Sequence, residues 1–225
     1  MITFFKAYGS GILYILIYGI AYIMALFVAM PFHEFSHAYI AKKEGDYTAV
    51  ALKRCTLAPL AHIDVRGLIC LLLFGFGWAK PVPVDERNFK RGKLSKFLVA
   101  IAGIVTNLIL GTVFLFIYYL IYKLFPNFYS SGIYGLLVKT FLSLSVSLNF
   151  GFAFFNLLPI YPLDGFRIIE AFTGSDNGFV SFMKRYSFII YLLLIFSTVF
   201  EMYFAYTGGL LINVLSNLFK KILGV

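Results

Sequence analysis

The sequence predicts an all-α protein, a polytopic transmembrane helical bundle with a re-entrant or β-like membrane-associated segment between its first and second spans. Hydrophobic residues make up 61% of the 225 positions and charged residues 13%, whereas soluble domains have about 45–50% and about 25%. The apolar residues also form runs long enough to cross the roughly 30 Å hydrocarbon core of a bilayer. We therefore expect residues 1–225 to form one domain, with a core at about 11–170 and C-terminal spans within about 186–223.

The first span is predicted from residue 11 to about residue 31, a stretch without a charged side chain. The helical pattern continues to about residue 41, where Lys42 and Lys43 indicate an interface with water. Pro31 is expected to bend this helix, because a proline inside a helix removes one backbone hydrogen bond.

The region after the first span is the least regular part of the chain. Residues 44–66 are more polar, and residues 47–52 favour β-structure. Residues 68–78 are apolar but too short for a helical span, so we predict a re-entrant or interfacial segment. Residues 79–96 form a basic, proline-containing loop.

Two further spans are predicted at about 97–122 and 134–157, joined by a short loop around 126–132. The sequence NLLPIYPLDG ends the third span, because its two prolines cannot lie inside a regular helix. The apolar region 188–219 contains one clear span and has room for a second, with a predicted break at Gly208 and Gly209.

The chain is basic, with nineteen Lys and Arg against ten Asp and Glu. The cations lie in short stretches between the apolar runs, at 42–54, 80–96 and 167–185, which we expect on the cytoplasmic side. The ends of the first and third spans would then meet on that side. No basic stripe alternates with aromatic residues on a polar segment, so no nucleic-acid partner is expected.

Residues 33–37 read HEFSH, an HExxH sequence. On a helix, residues four apart share one face, so His33 and His37 can bind one metal ion. Zinc suits two imidazoles and a carboxylate, with one position left open for water. Glu34 is then placed to act as general acid and base. A chance match is the alternative, but ionisable groups inside membrane helices are rare and usually functional.

A third metal ligand is needed, and spacing alone leaves several candidates open. They are Asp164, Asp64 and His62, with Glu44 and Asp46 less favoured. The prolines before Asp164 can turn the chain inward, and Gly165 allows a close backbone approach. The alternative for Asp164 is an ordinary helix cap.

The sequences HEFSHAYIA and NLLPIYPLDG, in this order at the ends of two spans, resemble the site-2 protease family of intramembrane zinc metalloproteases. The sequences TLAPLAHID and FGFGWAKPVPVDERNFK resemble its compact prokaryotic branch, and the resemblance covers most of residues 25–170. Ala58 and Ile104 depart from that branch, which often has Asn and Pro there, but Asn107 matches it.

The resemblance implies one zinc ion per chain, held by His33, His37 and Asp164, with Glu34 as general acid and base. It also implies that Asn156 holds the substrate backbone, although that amide alone would predict a hydrogen bond between helices. For His62 we favour a structural role, such as a hydrogen bond to Asp64.

The implied function is hydrolysis of peptide bonds in a transmembrane protein or peptide, in the lipid bilayer of a prokaryotic cell, with the active site nearer the cytoplasmic face. The alternatives are a non-catalytic membrane protein that binds or transports zinc and an inactive relative. A carrier would need ionisable groups along a path across the bilayer, and the later spans contain few.

Overall fold

The structure is a computed structural model that describes residues 11–67, 70, 79–195 and 197–225. Seven α-helices have both of their ends in these residues, with short 3-10 turns at Pro59–Ala61, Glu86–Asn88 and Phe128–Ser130. The helices are α1 Ile12–Lys43, α2 Thr48–Ala51, α3 Lys93–Leu124, α4 Gly132–Asn156, α5 Asp164–Thr173, α6 Gly178–Ile195 and α7 Thr198–Leu223.

Within the described residues, three helices are long and apolar enough to cross a membrane, namely α1, α3 and α4. They contain 32, 32 and 25 residues. At 1.5 Å per residue even α4 is roughly 38 Å long, which exceeds the hydrocarbon core. The protein is an integral membrane protein, and the all-helical class predicted from composition is confirmed.

The three spanning helices pack against one another in every pair. Along α1 the packed face carries alanines that are fully buried, including Ala21, Ala25 and Ala29. Small residues let helix backbones approach closely where lipid removes the hydrophobic drive to associate. A second cluster joins α3, α4 and α7 through Leu115, Val146, Phe150 and Phe219.

The loop before α3 is fixed to the end of α1 by two buried carboxylates. Glu44 accepts hydrogen bonds from the Arg91 guanidinium and, at 2.6 Å, from the Ser95 hydroxyl. The Arg91 hydrogen bond, followed by that of Ser95, lowers the pKa of Glu44 from 4.5 to about 2. Asp46 accepts from the backbone N–H of Asp85 at 2.8 Å and from the Asn88 amide at 3.1 Å. These bonds hold the loop against the C-terminal end of α1.

Two local predictions were wrong. Residues 47–52, expected to favour β-structure, contain α2, because Ala49 is buried against Ala38 and Val82 and this packing outweighs local propensity. Gly208 and Gly209 lie inside α7, and the break comes earlier, between the end of α6 at Ile195 and the start of α7 at Thr198. Glycine costs a helix only about 1 kcal/mol per residue, which a long apolar helix tolerates.

Only part of the region predicted to be re-entrant or β-like lies within the described residues. Apart from Cys70, residues 68–78 lie outside the described residues. On either side of them, Ile63 and Ala79 form an isolated antiparallel bridge, and the Lys80 N–H donates to the His62 carbonyl at 2.9 Å. No β-strand occurs in the part of the chain that the structure describes.

Candidate metal centre

His33, His37 and Asp164 converge at one buried point. Nε2 of His33 lies 3.1 Å from Nε2 of His37, and these two atoms lie 3.3 and 3.2 Å from Oδ2 of Asp164. The three residues are 8%, 5% and 5% exposed. Among the described residues this is the one group of His, Cys, Asp or Glu side chains placed to hold a metal ion.

The two elements that supply these ligands follow from the sequence. The histidines share one face of α1 because they are four residues apart. Asp164 is the first residue of α5, which begins after α4 ends and the proline-containing segment 157–163 forms a series of turns. Gly165 allows this return, since a Cβ there would lie 2.2 Å from the Leu157 carbonyl oxygen.

The hydrogen bonds of the histidines fix which ring nitrogen is protonated. Nδ1 of His37 lies 2.7 Å from the Val99 carbonyl oxygen, and Nδ1 of His33 lies 2.7 Å from Oδ1 of Asn107. Both oxygens are acceptors, so both Nδ1 atoms carry hydrogen, and in the neutral rings both Nε2 atoms carry lone pairs. With both rings neutral, two lone pairs and a carboxylate oxygen therefore face one another.

This arrangement fits zinc. Zinc–nitrogen and zinc–oxygen bonds of about 2.0–2.1 Å in a tetrahedron place the ligand atoms about 3.3 Å apart. The three observed separations are 3.1, 3.2 and 3.3 Å. Oδ2 of Asp164 is buried without a hydrogen-bond partner in the protein, as a metal ligand would be. The donor set of two imidazoles and one carboxylate is one that catalytic zinc uses.

Gly103 on α3 lies directly over the two rings. A Cβ at this position would be 2.4 Å from Cε1 of His33 and 2.5 Å from Nε2 of His37. Only a residue without a side chain fits there, so Gly103 allows α3 to approach the histidines closely enough to bond both Nδ1 atoms.

Comparison with known proteins agrees with this geometry. The model of peptidase family M50 matches residues 121–198, a range that contains Asn156 and Asp164 but not the histidines. YwhC of Bacillus subtilis (strain 168), provisionally named a zinc metalloprotease, is 40% identical over 173 residues, which are 76% of this chain and 78% of that protein. The chain belongs to peptidase family M50.

Two proteins of Methanocaldococcus jannaschii are more distant. The zinc metalloprotease MJ0392 is 28% identical over 159 residues, covering 71% of this chain and 36% of that protein. MJ0611, also provisionally named a zinc metalloprotease, is 32% identical over 147 residues, 62% of this chain and 63% of that protein. No solved structure matched the chain. The M50 assignment confirms the resemblance to site-2 proteases that the two motifs predicted.

In this M50 chain, Glu34 follows His33 directly on α1. Oε2 of Glu34 accepts a hydrogen bond of 2.9 Å from the backbone N–H of Val82. Val82 is buried and belongs to the loop that the Glu44 and Asp46 contacts fix to α1. The loop thus holds the carboxylate of Glu34 in one orientation.

Asn156 is the last residue of α4, in the segment that leads to Asp164. Its Nδ2 donates to the Phe152 carbonyl at 3.0 Å, a bond within its own helix. The bond between helices that the amide alone would predict is therefore not the one observed. The substrate-binding role of Asn156 stays a prediction.

The other candidate ligands are engaged elsewhere. Glu44 and Asp46 accept the loop hydrogen bonds described above, and Oδ1 of Asp64 accepts from the backbone of Arg66 and Gly67. His62 is fully buried and its Nε2 lies 2.8 Å from the Thr56 carbonyl oxygen. The suggested hydrogen bond from His62 to Asp64 is replaced by this contact, and the structural role of His62 stays a prediction.

Sequence reasoning assigned no function to Val99, Gly103 or Asn107. All three lie on α3 at intervals of four residues, so they share one helix face. Their spacing of four residues, and the presence of an asparagine within an apolar span, could have indicated a functional helix face. No spacing rule, however, indicates which helix this face contacts.

Proposed function

We propose that residues 1–225 form a single-domain zinc metalloprotease that hydrolyses peptide bonds of membrane-embedded substrates. One zinc ion is held by His33, His37 and Asp164, and Glu34 is the general acid and base. The observation that carries the proposal is the convergence of three buried ligand atoms at 3.1–3.3 Å, with Glu34 next to His33 on α1.

When bound, zinc supplies a Lewis acid that polarises a carbonyl and lowers the pKa of water to about 7. Glu34 accepts the proton of the attacking water and later gives it to the leaving amine. The Val82 N–H binds Oε2 of Glu34, which keeps the carboxylate from rotating away. Gly103 and the two oxygens that accept hydrogen bonds from Nδ1, those of Val99 and Asn107, keep both imidazole rings in place.

The substrate class is a transmembrane protein or peptide in a lipid bilayer. An intact substrate helix hides its carbonyls in hydrogen bonds, so it must unwind locally before cleavage. Asn156 holds the unwound backbone, since an amide both donates and accepts hydrogen bonds. Its position in the segment before Asp164 supports this role.

The protein lies in the plasma or inner membrane of a prokaryotic cell, with its site nearer the cytoplasmic face. The histidines are in the C-terminal part of α1, whose last turn contains Lys42 and Lys43. The basic loop before α3 follows at the same end, and such loops stay in the cytoplasm. Water for hydrolysis enters from that side.

The test is Glu34→Gln, which keeps the size of the side chain and an oxygen to accept from Val82 but cannot take a proton. We expect zinc bound as in wild type and cleavage lowered by about 10²–10⁴-fold, the usual contribution of general acid–base catalysis. Membrane proteins of cells carrying either form, compared by mass spectrometry, reveal the substrates.

Full cleavage by the Glu34→Gln protein would overturn the assignment of Glu34. Absence of zinc from the wild-type protein purified without chelators would overturn the metal site. Zinc transport into vesicles without proteolysis would instead favour a carrier.

A further inference from the structure

A chain of buried side chains runs from α4 through α3 to the metal-binding group. Nδ2 of Asn149 donates to the Ser145 carbonyl at 2.7 Å, and Nδ2 of Asn107 donates to Oδ1 of Asn149 at 3.0 Å. Oδ1 of Asn107 then faces Nδ1 of His33 at 2.7 Å. Both asparagines are 0% exposed.

The direction of this chain is set at its far end. A backbone carbonyl only accepts hydrogen bonds, so the NH₂ group of Asn149 must face Ser145. Its oxygen therefore faces Asn107, whose NH₂ group must point to it. The oxygen of Asn107 is left for His33, and Nδ1 of His33 must donate.

Asn107 alone would not determine the tautomer of His33. An amide rotated by 180° presents NH₂ where oxygen was, at little steric cost. Nδ1 of His33 would then accept, and the ring proton would move to Nε2, into the space among the three ligand atoms. Asn149 prevents this rotation because its oxygen needs the NH₂ group of Asn107.

His37 provides a contrast within the same site. Its Nδ1 faces the Val99 carbonyl oxygen directly at 2.7 Å. A carbonyl cannot become a donor, so the tautomer of His37 needs no further support. Of the two histidines, only His33 depends on a side chain whose orientation must itself be fixed.

We propose that Asn149 is a positioning residue that acts through Asn107 to hold His33 in the tautomer that binds zinc. This inference rests on the proposed zinc site. A role in joining α3 to α4 is the simpler interpretation, since polar side chains commonly connect membrane helices. The two roles differ in what they do to the histidines.

The experiment measures zinc affinity and histidine tautomers for wild type, Asn149→Leu and Asn149→Asp. Zinc affinity is measured by chelator competition in detergent. Tautomers are measured by ¹⁵N-histidine NMR in the zinc-free full chain, at a pH high enough for its three histidines to be neutral. Ser145→Ala is the matched control, because it removes a buried hydroxyl without a partner one turn away and leaves the carbonyl intact.

We expect Asn149→Leu to lower zinc affinity by about 10–100-fold, the range for lost support of a metal ligand. His33 should become a mixture of tautomers while His37 stays protonated at Nδ1. Asn149→Asp should restore both properties, because a neutral carboxyl can donate to the Ser145 carbonyl and accept from Asn107. Ser145→Ala should match wild type.

The proposal is overturned if Asn149→Leu keeps the wild-type affinity and a single His33 tautomer, or if His33 and His37 change together, as loosened helix packing would cause. A wild-type protein that binds no zinc contradicts the proposed function, while the zinc-free spectra still decide the role of Asn149. The two failures are therefore distinguishable.

Discussion

Replacement of Gly103 by alanine tests the geometry of the metal centre with one methyl group. The added Cβ would lie 2.4 Å from Cε1 of His33, 2.5 Å from Nε2 of His37 and 2.6 Å from Nδ1 of His33. Non-bonded carbon atoms pack at about 3.5–4.0 Å, so the overlap is about 1 Å. Either the rings rotate or α3 moves away from α1 by that distance.

Both responses disrupt the site. Withdrawal of α3 by about 1 Å would lengthen the two Nδ1 hydrogen bonds, now 2.7 Å each, beyond the roughly 3.2 Å limit of a good N–H···O bond. Rotation of the rings would turn the Nε2 lone pairs away from Asp164. We expect the Gly103→Ala protein to lose zinc. We also expect its free energy of unfolding to fall by about 1–3 kcal/mol, the usual cost of overpacking.

The assay is zinc per chain by atomic absorption, together with thermal unfolding in detergent. Gly151→Ala on α4 is the matched control, since a Cβ there meets nothing within 4 Å, and it should keep zinc and stability. Gly111→Ala places a Cβ 2.7 Å from the Phe150 ring, away from the metal, and should lower stability while zinc remains. A Gly103→Ala protein with full zinc and wild-type stability would refute the reasoning.

Two further predictions concern the loop before α3. Val82→Pro removes the N–H that binds Glu34 and should lower the cleavage rate while zinc stays bound. Val82→Ala keeps the N–H and should cleave faster than Val82→Pro. Equal cleavage rates for the two variants would exclude a role for the hydrogen bond. The pKa of Glu44 is lowered to about 2 by Arg91, so its stabilisation is complete above about pH 4.5 and is lost as pH falls through 2. The difference in melting temperature between wild type and Glu44→Gln should therefore shrink below pH 4.5, and a constant difference would contradict this.

The spans and the histidine pair were predictable because local rules decide them. Apolar runs longer than the bilayer core must be helical, and residues four apart on a helix must share a face. The first predicted span, with its helical continuation to about residue 41, matches α1 closely. An uncharged run of this length has no alternative to a helix that spans the bilayer. The bilayer and the helical repeat fixed these features without tertiary information.

Features that depend on the tertiary path were harder to predict. From spacing alone Asp164 was one of several candidate ligands, because its approach depends on the path of residues 157–163, and only the family resemblance selected it. Residues 47–52 were wrongly expected to favour β-structure, since the burial of Ala49 against Val82 lies outside any local pattern. No role was predicted for Asn149, because a single asparagine in an apolar span does not indicate its hydrogen-bond partner.

The pairing of α1 with α3 explains why an HExxH sequence alone does not make a metal site. The two helices run antiparallel with matching steps of four residues, so His37 meets Val99, both rings meet Gly103, and His33 meets Asn107. At these steps α3 supplies a carbonyl, an empty space and an amide oxygen. Without the Val99 carbonyl and the Asn107 amide oxygen, neither imidazole ring has its Nε2 lone pair fixed for zinc. Without the space at Gly103, α3 cannot come close enough to α1 to form these two hydrogen bonds. Two of the three candidate ligands lie on α1, but the ability to bind metal depends equally on α3.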